Sequence, residues 1–188
     1  MAAGRVCPVW IGYLLLSPLR RLRQNPERIL RKYLQPGMTA LDFGSAMGYF
    51  SIPMARLVSP GGRVVCLDIQ EKMLKVLRKR AARAGVEGTV ETHLIPDSGD
   101  FLAGNHYGFD FALLFAVAHE VPDQESLFKE LHRAIKPRGK LLFAEPAGHV
   151  SGEDFNRSVE LAESAGFGKA EPVDIRSSRS VLLRRGGE

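Results

Sequence analysis

The chain has 188 residues, 45% hydrophobic and 25% charged, which is enough for one domain with a substantial buried core. These proportions exclude intrinsic disorder, a collagen-like fibre and a disulfide scaffold. The two cysteines, Cys7 and Cys66, match no zinc or redox spacing and fit a reducing, cytoplasmic setting. A net charge of +5 leaves nucleic acid, anionic lipid or an acidic ligand open as partners.

Residues 9–16 (VWIGYLLL) are apolar, but Ser17-Pro18 ends the run, well short of the roughly 20 residues of a membrane-spanning helix. Arg5 alone precedes the run, while Arg20, Arg21 and Arg23 follow it, the wrong arrangement for a secretory signal. The reading is an amphipathic N-terminal cap over residues 1–36, with peripheral membrane contact as the sharper alternative. Asn25-Pro26-Glu27 starts a helix, with Asn as N-cap, Pro at the first helical position and an acid near the positive end of the dipole. Its apolar face is Ile29, Leu30, Tyr33 and Leu34, and Gln35-Pro36-Gly37 ends it.

From there strands and helices alternate. Residues 39–43 predict a short buried strand, 49–58 a helix, 63–68 (RVVCLD) a strand and 71–84 a helix loaded with cations. Residues 88–94 predict a weaker strand, and 109–115 (FDFALLF) a strong one, near-continuously apolar as a central parallel strand should be. A helix over 123–135 follows, then a turn at Lys136-Pro137-Arg138-Gly139 and a strand over 140–145. Ser151 and Asp154 resemble a capping box that opens a helix to Ala165, closed by Gly166. The strand candidates 170–175 and 180–183 are separated by too few residues for a parallel crossover and predict an antiparallel pair. The expected fold is α/β over residues 37–188: a doubly wound, mostly parallel seven-stranded sheet, helices on both faces, closed by that antiparallel pair. Its ligand belongs at the carboxyl ends of the strands, near the topological switch point.

After the first strand stands Leu41-Asp42-Phe43-Gly44-Ser45-Ala46-Met47-Gly48-Tyr49-Phe50. A glycine turn from strand to helix allows close approach of a ligand to backbone, and helix-start amides suit an anionic group. Neither G-x-G-x-x-G nor the phosphate-binding G-x-x-x-x-G-K-[ST] is present. Twenty residues past Gly48 the second strand ends in Asp68, where a carboxylate can accept from both hydroxyls of a ribose. A nucleoside ligand is the combined reading; a plain tight turn and a solvated strand end are the alternatives.

The segment 41–50 resembles the first motif of the class I S-adenosylmethionine-dependent methyltransferases, D-x-G-x-G-x-G. The resemblance runs from about Gly37 to Arg185 and includes Asp97 after strand three, Phe109-Asp110 opening strand four, K-P-R-G-K before strand five and the antiparallel ending. It is closest to the compact small-molecule methyltransferases, where a segment like Ala118-His119-Glu120-Val121 follows strand four. The resemblance implies a Rossmann-like fold and S-adenosyl-L-methionine as cofactor. Asp42, Gly44, Ser45, Ala46 and Gly48 would surround its methionine end, and Asp68 would take the ribose, with Ile69 against the adenine. Asp97 would bond the adenine amino group, with Ser98 adjacent, and Phe115 would line the floor. Asp42 could equally order the loop by bonding backbone amides. Ala46 departs from the motif's middle glycine. If the position needs positive φ, its methyl costs about 1 kcal/mol or more.

Methyl transfer from a sulfonium mostly requires proximity and orientation, sometimes with a base for the nucleophile. His119, Glu120, Glu145 and His149 follow strands four and five, and a shared acceptor pocket is expected there. His119 is the candidate base, with Glu145 or His149 orienting the acceptor; capping roles for His119 and Glu120 are the alternative. No two of these groups have a recognised metal-ligand spacing, and no metal is assigned. Residues 7–10 are read as a lid that could bring Trp10 and Tyr13 to the acceptor, or as a cap filling a groove. The cationic runs around Arg20–Lys32 and Lys72–Arg83 could bind phosphate or simply face solvent. The segment after strand four lacks the Asn/Asp-Pro-Pro-aromatic clamp of base-amino methyltransferases. The reading is methyl transfer to a small-molecule nucleophile. An RNA methyltransferase and a cofactor-binding relative without turnover are the alternatives, and the acceptor atom and oligomeric state stay open.

Overall fold

A computed structural model describes residues 24–96, 102 and 108–187. The apolar run 9–16, the expected lid, Asp97 and Ser98 lie outside the described residues. The elements run α1 (Pro26–Leu30), β1 (Thr39–Phe43), α2 (Ser51–Val58), β2 (Arg63–Asp68), α3 (Glu71–Arg83) and β3 (Val90–Leu94). They continue with β4 (Phe109–Phe115), a single 3₁₀ turn (Ala118–Glu120), α4 (Gln124–Ala134), β5 (Ile135–Pro146), α5 (Gly152–Ser164), β6 (Glu171–Pro172) and β7 (Ser178–Arg184).

Local chemistry sets most of the boundaries. The Asn25 side chain accepts from the Arg28 amide and Pro26 supplies a preset φ, so α1 starts where expected. It stops after five residues, because the Tyr33 amide turns back to Leu30 and tightens the chain. Asp123 and Ser151 cap α4 and α5 by accepting from Ser126 and Asp154 amides. β5 begins earlier than expected, at Ile135, which pairs with Phe109; the ladder then skips to Lys140 opposite Phe111. Lys136-Pro137-Arg138-Gly139 is therefore a bulge inside the strand, with Arg138 at φ +65°.

The strands form one seven-stranded sheet in the order β3-β2-β1-β4-β5-β7-β6. β3 through β5 pair in parallel, and β7 is antiparallel to both β5 and β6. Because β1 lies between β2 and β4, the chain reverses direction across the sheet there, and the crevice opens at the carboxyl ends of β1 and β4. Asp110 ties the other end of these strands together, accepting from the Thr39 amide at 2.8 Å and from Lys136 Nζ at 2.6 Å. β6 is only two residues long, ending at Pro172, where the sequence predicted a strand to 175.

Strand alternation sorts side chains onto two faces. Ala40, Val64, Cys66, Phe111, Leu113, Leu142 and Ala144 pack with Leu30, Met54, Val58, Leu77 and Ala81 of α1–α3. Leu41, Val65, Ala112, Leu114, Leu141 and Phe143 pack with Leu127, Phe128, Leu131, Phe155 and Ala162 of α4 and α5. On the first face Tyr33 stacks on Phe111 with ring centroids 5.8 Å apart. On the second, Phe143 lies between Phe128 at 5.6 Å and Phe155 at 4.9 Å, holding both helices to the sheet. Phe143→Ala should lower unfolding free energy by about 3–5 kcal/mol, the range for emptying a buried aromatic site. Urea denaturation measures it; a loss under about 1 kcal/mol would place the helix anchoring elsewhere.

Candidate functional site

The loop after β1 is held by the end of β2. The Leu67 carbonyl accepts from both the Gly44 and Ser45 amides at 2.9 Å. The next residue continues the contact: Asp68 Oδ2 accepts from the Ala46 amide at 2.9 Å and Oδ1 from the Gln70 amide at 2.8 Å. Gly44 has φ +74°, and a Cβ there would lie 2.6 Å from Val117 Cγ2 in the segment after β4. Glycine is required twice over, by conformation and by that close approach. At Gly48, φ +80°, a Cβ would meet Leu77 of α3 at 3.0 Å. α3 braces the loop again through Arg80, whose guanidinium donates to the Met47 carbonyl.

Ala46 takes φ +45°, the left-handed conformation that the motif's glycine would adopt freely. The amide of this strained residue is the one that reaches Asp68.

Around this loop lies a cavity of about 220 Å³, lined by every described residue expected at the cofactor except Gly48: Asp42, Gly44, Ser45, Ala46, Asp68, Ile69 and Phe115. Gly48 sits behind it, against Leu77. Asp42 is buried and accepts from the Ser51 hydroxyl at 2.5 Å. Burial pushes its pKa up to about 7, the Ser51 hydrogen bond pulls the other way, and nearby Asp68 adds to the rise. Burial also raises Asp68, against the amides of Gln70, Ala46 and Ile69. Ser45 Oγ is buried and has no hydrogen-bond partner among the described residues. Ile69 is 48% exposed at the rim, a large apolar side chain left facing the opening. An unsatisfied hydroxyl, a loop backbone lined up with two carboxylates and an apolar rim suit a polar nucleoside conjugate such as S-adenosylmethionine.

Ser51 escaped the sequence reading. It is the first residue of α2, and a hydroxyl there, nine residues past an acid at the end of a strand, is the signal that was available.

The four groups expected in one acceptor pocket are divided between two cavities. His119, Glu145 and His149 line a second cavity of about 440 Å³ with Gln124, Asp154, Arg157 and Ser158. Glu120 lines the first. The pleat is the reason: Glu145 shares the α4–α5 face with Leu141 and Phe143, whereas Asp42 and Asp68 share the opposite face with Ala40, Val64 and Cys66. His119 Nδ1 and buried Glu145 Oε2 are 2.6 Å apart, and the His119 amide donates to Glu145 Oε1 at 3.2 Å. That carboxylate raises the imidazole pKa above its ordinary value, against the opposing effect of burial. His149 is exposed at the mouth of this second cavity. No group of three or more His, Cys, Asp or Glu among the described residues is placed to hold a metal ion.

A methyltransferase-domain family matches residues 34–171, which includes β1 through β5, α2 through α5 and both cavities. This chain belongs to that methyltransferase family. Curated relatives include the ubiquinone/menaquinone biosynthesis C-methyltransferases UbiE of Enterobacter sp. (strain 638), 32% identical over 109 residues, and of Pasteurella multocida (strain Pm70), 30% over 112. The matches cover 58% and 60% of this chain but only 43% and 41% of those relatives, so the chain spans less than half of their length. A S-adenosylmethionine-dependent methyltransferase structure from Aquifex aeolicus superposes with a TM-score of 0.81 at 22% identity, covering 95% of this chain and 99% of that one. The cyclase SpnF shares the fold at a TM-score of 0.72 and 13% identity, covering 98% and 100%. The methyltransferase domain thus has the class I architecture anticipated from its motif, including the antiparallel ending.

Two outcomes follow from the strained loop and the buried acid. Ala46→Gly should leave stability unchanged or raise it by up to about 1 kcal/mol, relief of the positive φ being partly offset by a freer unfolded chain. A thermal melt measures it, and a clear loss would show that the Ala46 methyl packs productively. Asp42 holds a proton when folded at pH values where the unfolded chain has released it. Its contribution to stability is therefore fully present below about pH 4 and is lost as pH rises through about 7. Measured against Asp42→Asn, wild type should lose on the order of 4 kcal/mol across that window. A difference that stays flat with pH in urea titrations would place the proton elsewhere.

Proposed function

We propose that the chain transfers a methyl group from S-adenosylmethionine to a small-molecule acceptor in the cavity at the ends of β1, β2 and β4. One observation carries the reading: the glycine loop and the strand-end acid Asp68 meet across a single cavity whose lining includes three carboxylates, Asp42, Asp68 and Glu120. No Lys, Arg or His appears among its described lining residues, so it suits a cationic donor and an acceptor without phosphate. RNA is the weaker alternative for that reason, although Lys72, Lys75, Lys79 and Arg83 are exposed on α3. The UbiE relatives, named for ubiquinone and menaquinone biosynthesis, support a small-molecule acceptor.

S-adenosylmethionine supplies, when bound, a methyl group already activated on a positively charged sulfur. The residues here position and desolvate. Asp68 keeps lone pairs for the ribose hydroxyls while its two amide contacts hold the loop in place. Ile69 and Ile95 offer apolar walls to the adenine, and Phe115 closes the floor. Asp42 and the unpaired Ser45 hydroxyl face the methionine end, where an ammonium would draw Asp42 to its ionised form. The reading includes a cytoplasmic setting, in keeping with Cys66 buried as a free thiol. No helix among the described residues is long and apolar enough to cross a membrane.

Transfer of labelled methyl from S-adenosylmethionine to a panel of small nucleophiles tests the proposal. Tight cofactor binding with no transfer to any of them would favour a relative without turnover. Asp68→Ala should weaken binding of S-adenosylmethionine and its demethylated product by roughly 1.5–3 kcal/mol, the range for hydrogen bonds to a charged group. Equal affinities by calorimetry would remove the ribose assignment.

A further inference from the structure

The three carboxylates of the first cavity are not equivalent. Asp42 takes the Ser51 hydroxyl, and Asp68 takes the Ala46 and Gln70 amides, so both are tied to the loop that would grip the cofactor. Glu120 comes from another element. It ends the 3₁₀ turn after β4 and lines the cavity beside Val117, Val121 and Pro122, with its side chain 26% exposed. That short turn sends two neighbouring side chains to different cavities: His119 to the second, against Glu145, and Glu120 to the first. The imidazole spans the gap between them. Its Nδ1 lies 2.6 Å from Glu145 Oε2, and its Nε2 lies 4.0 Å from Glu120 Oε1.

We propose that Glu120 is the acceptor-facing group of the first cavity, selecting a small molecule that presents a protonated amine or a hydroxyl, and that His119, braced by Glu145, is a positioning residue for Glu120. The inference rests on methyl transfer at this cavity and names the acceptor class for it: the amine or hydroxyl gives up its proton to Glu120, the lone pair so freed takes the methyl from the sulfonium, and neutral S-adenosylhomocysteine leaves. A carboxylate offers only acceptor lone pairs, so its natural partner is an N–H or O–H donor. The walls beside it, Val117, Val121 and Pro122, are apolar, which strengthens that pairing and penalises a second negative charge. Carboxylate, phosphate and sulfate acceptors are thereby rejected. His119 does not line this cavity, and its Nδ1 side is committed to a buried carboxylate, so it acts on the acceptor only through Glu120. Its protonation is set by Glu145 and Glu120, with His149, Asp154 and Arg157 also lining its cavity.

The test uses the full chain saturated with S-adenosylhomocysteine and three probes of one shape: benzylamine, benzyl alcohol and benzoate, measured by calorimetry. Failure of S-adenosylhomocysteine itself to bind would overturn the proposed function. With it bound, benzylamine should exceed benzoate in affinity by about tenfold or more, with benzyl alcohol between them. Glu120→Gln, measured with S-adenosylhomocysteine again at saturation, should collapse the ratio to within about threefold. In wild type the ratio should rise from pH 6 to pH 8.5, as the imidazole loses the proton that partly neutralises Glu120. In His119→Asn it should be flat, because the ammonium of the bound S-adenosylhomocysteine keeps Asp42 of the same cavity ionised across this range. If S-adenosylhomocysteine binds but no probe does, if benzoate matches benzylamine, or if Glu120→Gln keeps the wild-type ratio, Glu120 is not the selecting group. A wild-type pH slope retained in His119→Asn would overturn the positioning role.

Discussion

Two consecutive residues at the end of β2 hold the site together. The Leu67 carbonyl and the Asp68 carboxylate receive the amides of Gly44, Ser45 and Ala46 in succession, so three residues of the loop after β1 are fastened to the neighbouring strand. The contact sets the loop's shape before any ligand arrives. It also accounts for the conformation of Ala46, whose amide must turn toward Asp68 and takes a positive φ to do so. α3 supports the same loop from behind, through Leu77 beneath Gly48 and Arg80 on the Met47 carbonyl. A loop fixed on two sides loses little freedom when a ligand enters, which is how preorganisation favours binding.

The strands with clear ends were legible from residues alone. Residues 39–43, 63–68 and 109–115 coincide with β1, β2 and β4, because each is an apolar run bounded by turn residues or by a charged terminus. Asp42, Gly44 and Asp68 could be assigned to one crevice because a parallel sheet sends all its carboxyl ends the same way. The division of the acceptor-side residues was less accessible. Order along the chain puts His119, Glu120 and Glu145 together; the face each one takes decides where its side chain goes. For Glu145 the information was present, since it stands two residues past Phe143 and must share its face. For His119 and Glu120 it was not, because an irregular turn has no fixed period from which to count. The early start of β5 was hidden for a similar reason: Pro137 and Gly139 read as a turn, and a bulge within a ladder uses the same residues.

The sheet acts as a partition. On one side, Asp42 and Asp68 sit among carboxylates and apolar walls; on the other, Glu145 works in a polar network with His119, while Gln124 and Ser158 bond each other at 2.7 Å. Among the described residues, the segment after β4 is the one place where adjacent residues line the two cavities. It is also what Gly44 must stay clear of, through Val117. Substitutions in this short stretch therefore act on the glycine loop, the donor cavity and the polar network together, and their effects should be non-additive.

The outer side of β7 has a further consequence, for how such a sheet avoids its own kind. β7 carries Val181, Leu182 and Leu183 in sequence, and a bare edge of that composition invites another chain to add a strand. β6 covers it with only two residues, and the second, Pro172, has no amide to donate. The rest of the edge is occupied piecemeal: the Val173 amide donates to the Ser180 carbonyl, the Ser180 hydroxyl to the Val173 carbonyl, and the Gly168 amide to the Arg184 carbonyl. The paired charges of Glu171 and Arg184 stand on the same border. Among the described residues, what finishes the sheet is a discontinuous strip of contacts in place of a long open edge, an arrangement that disfavours the addition of another strand.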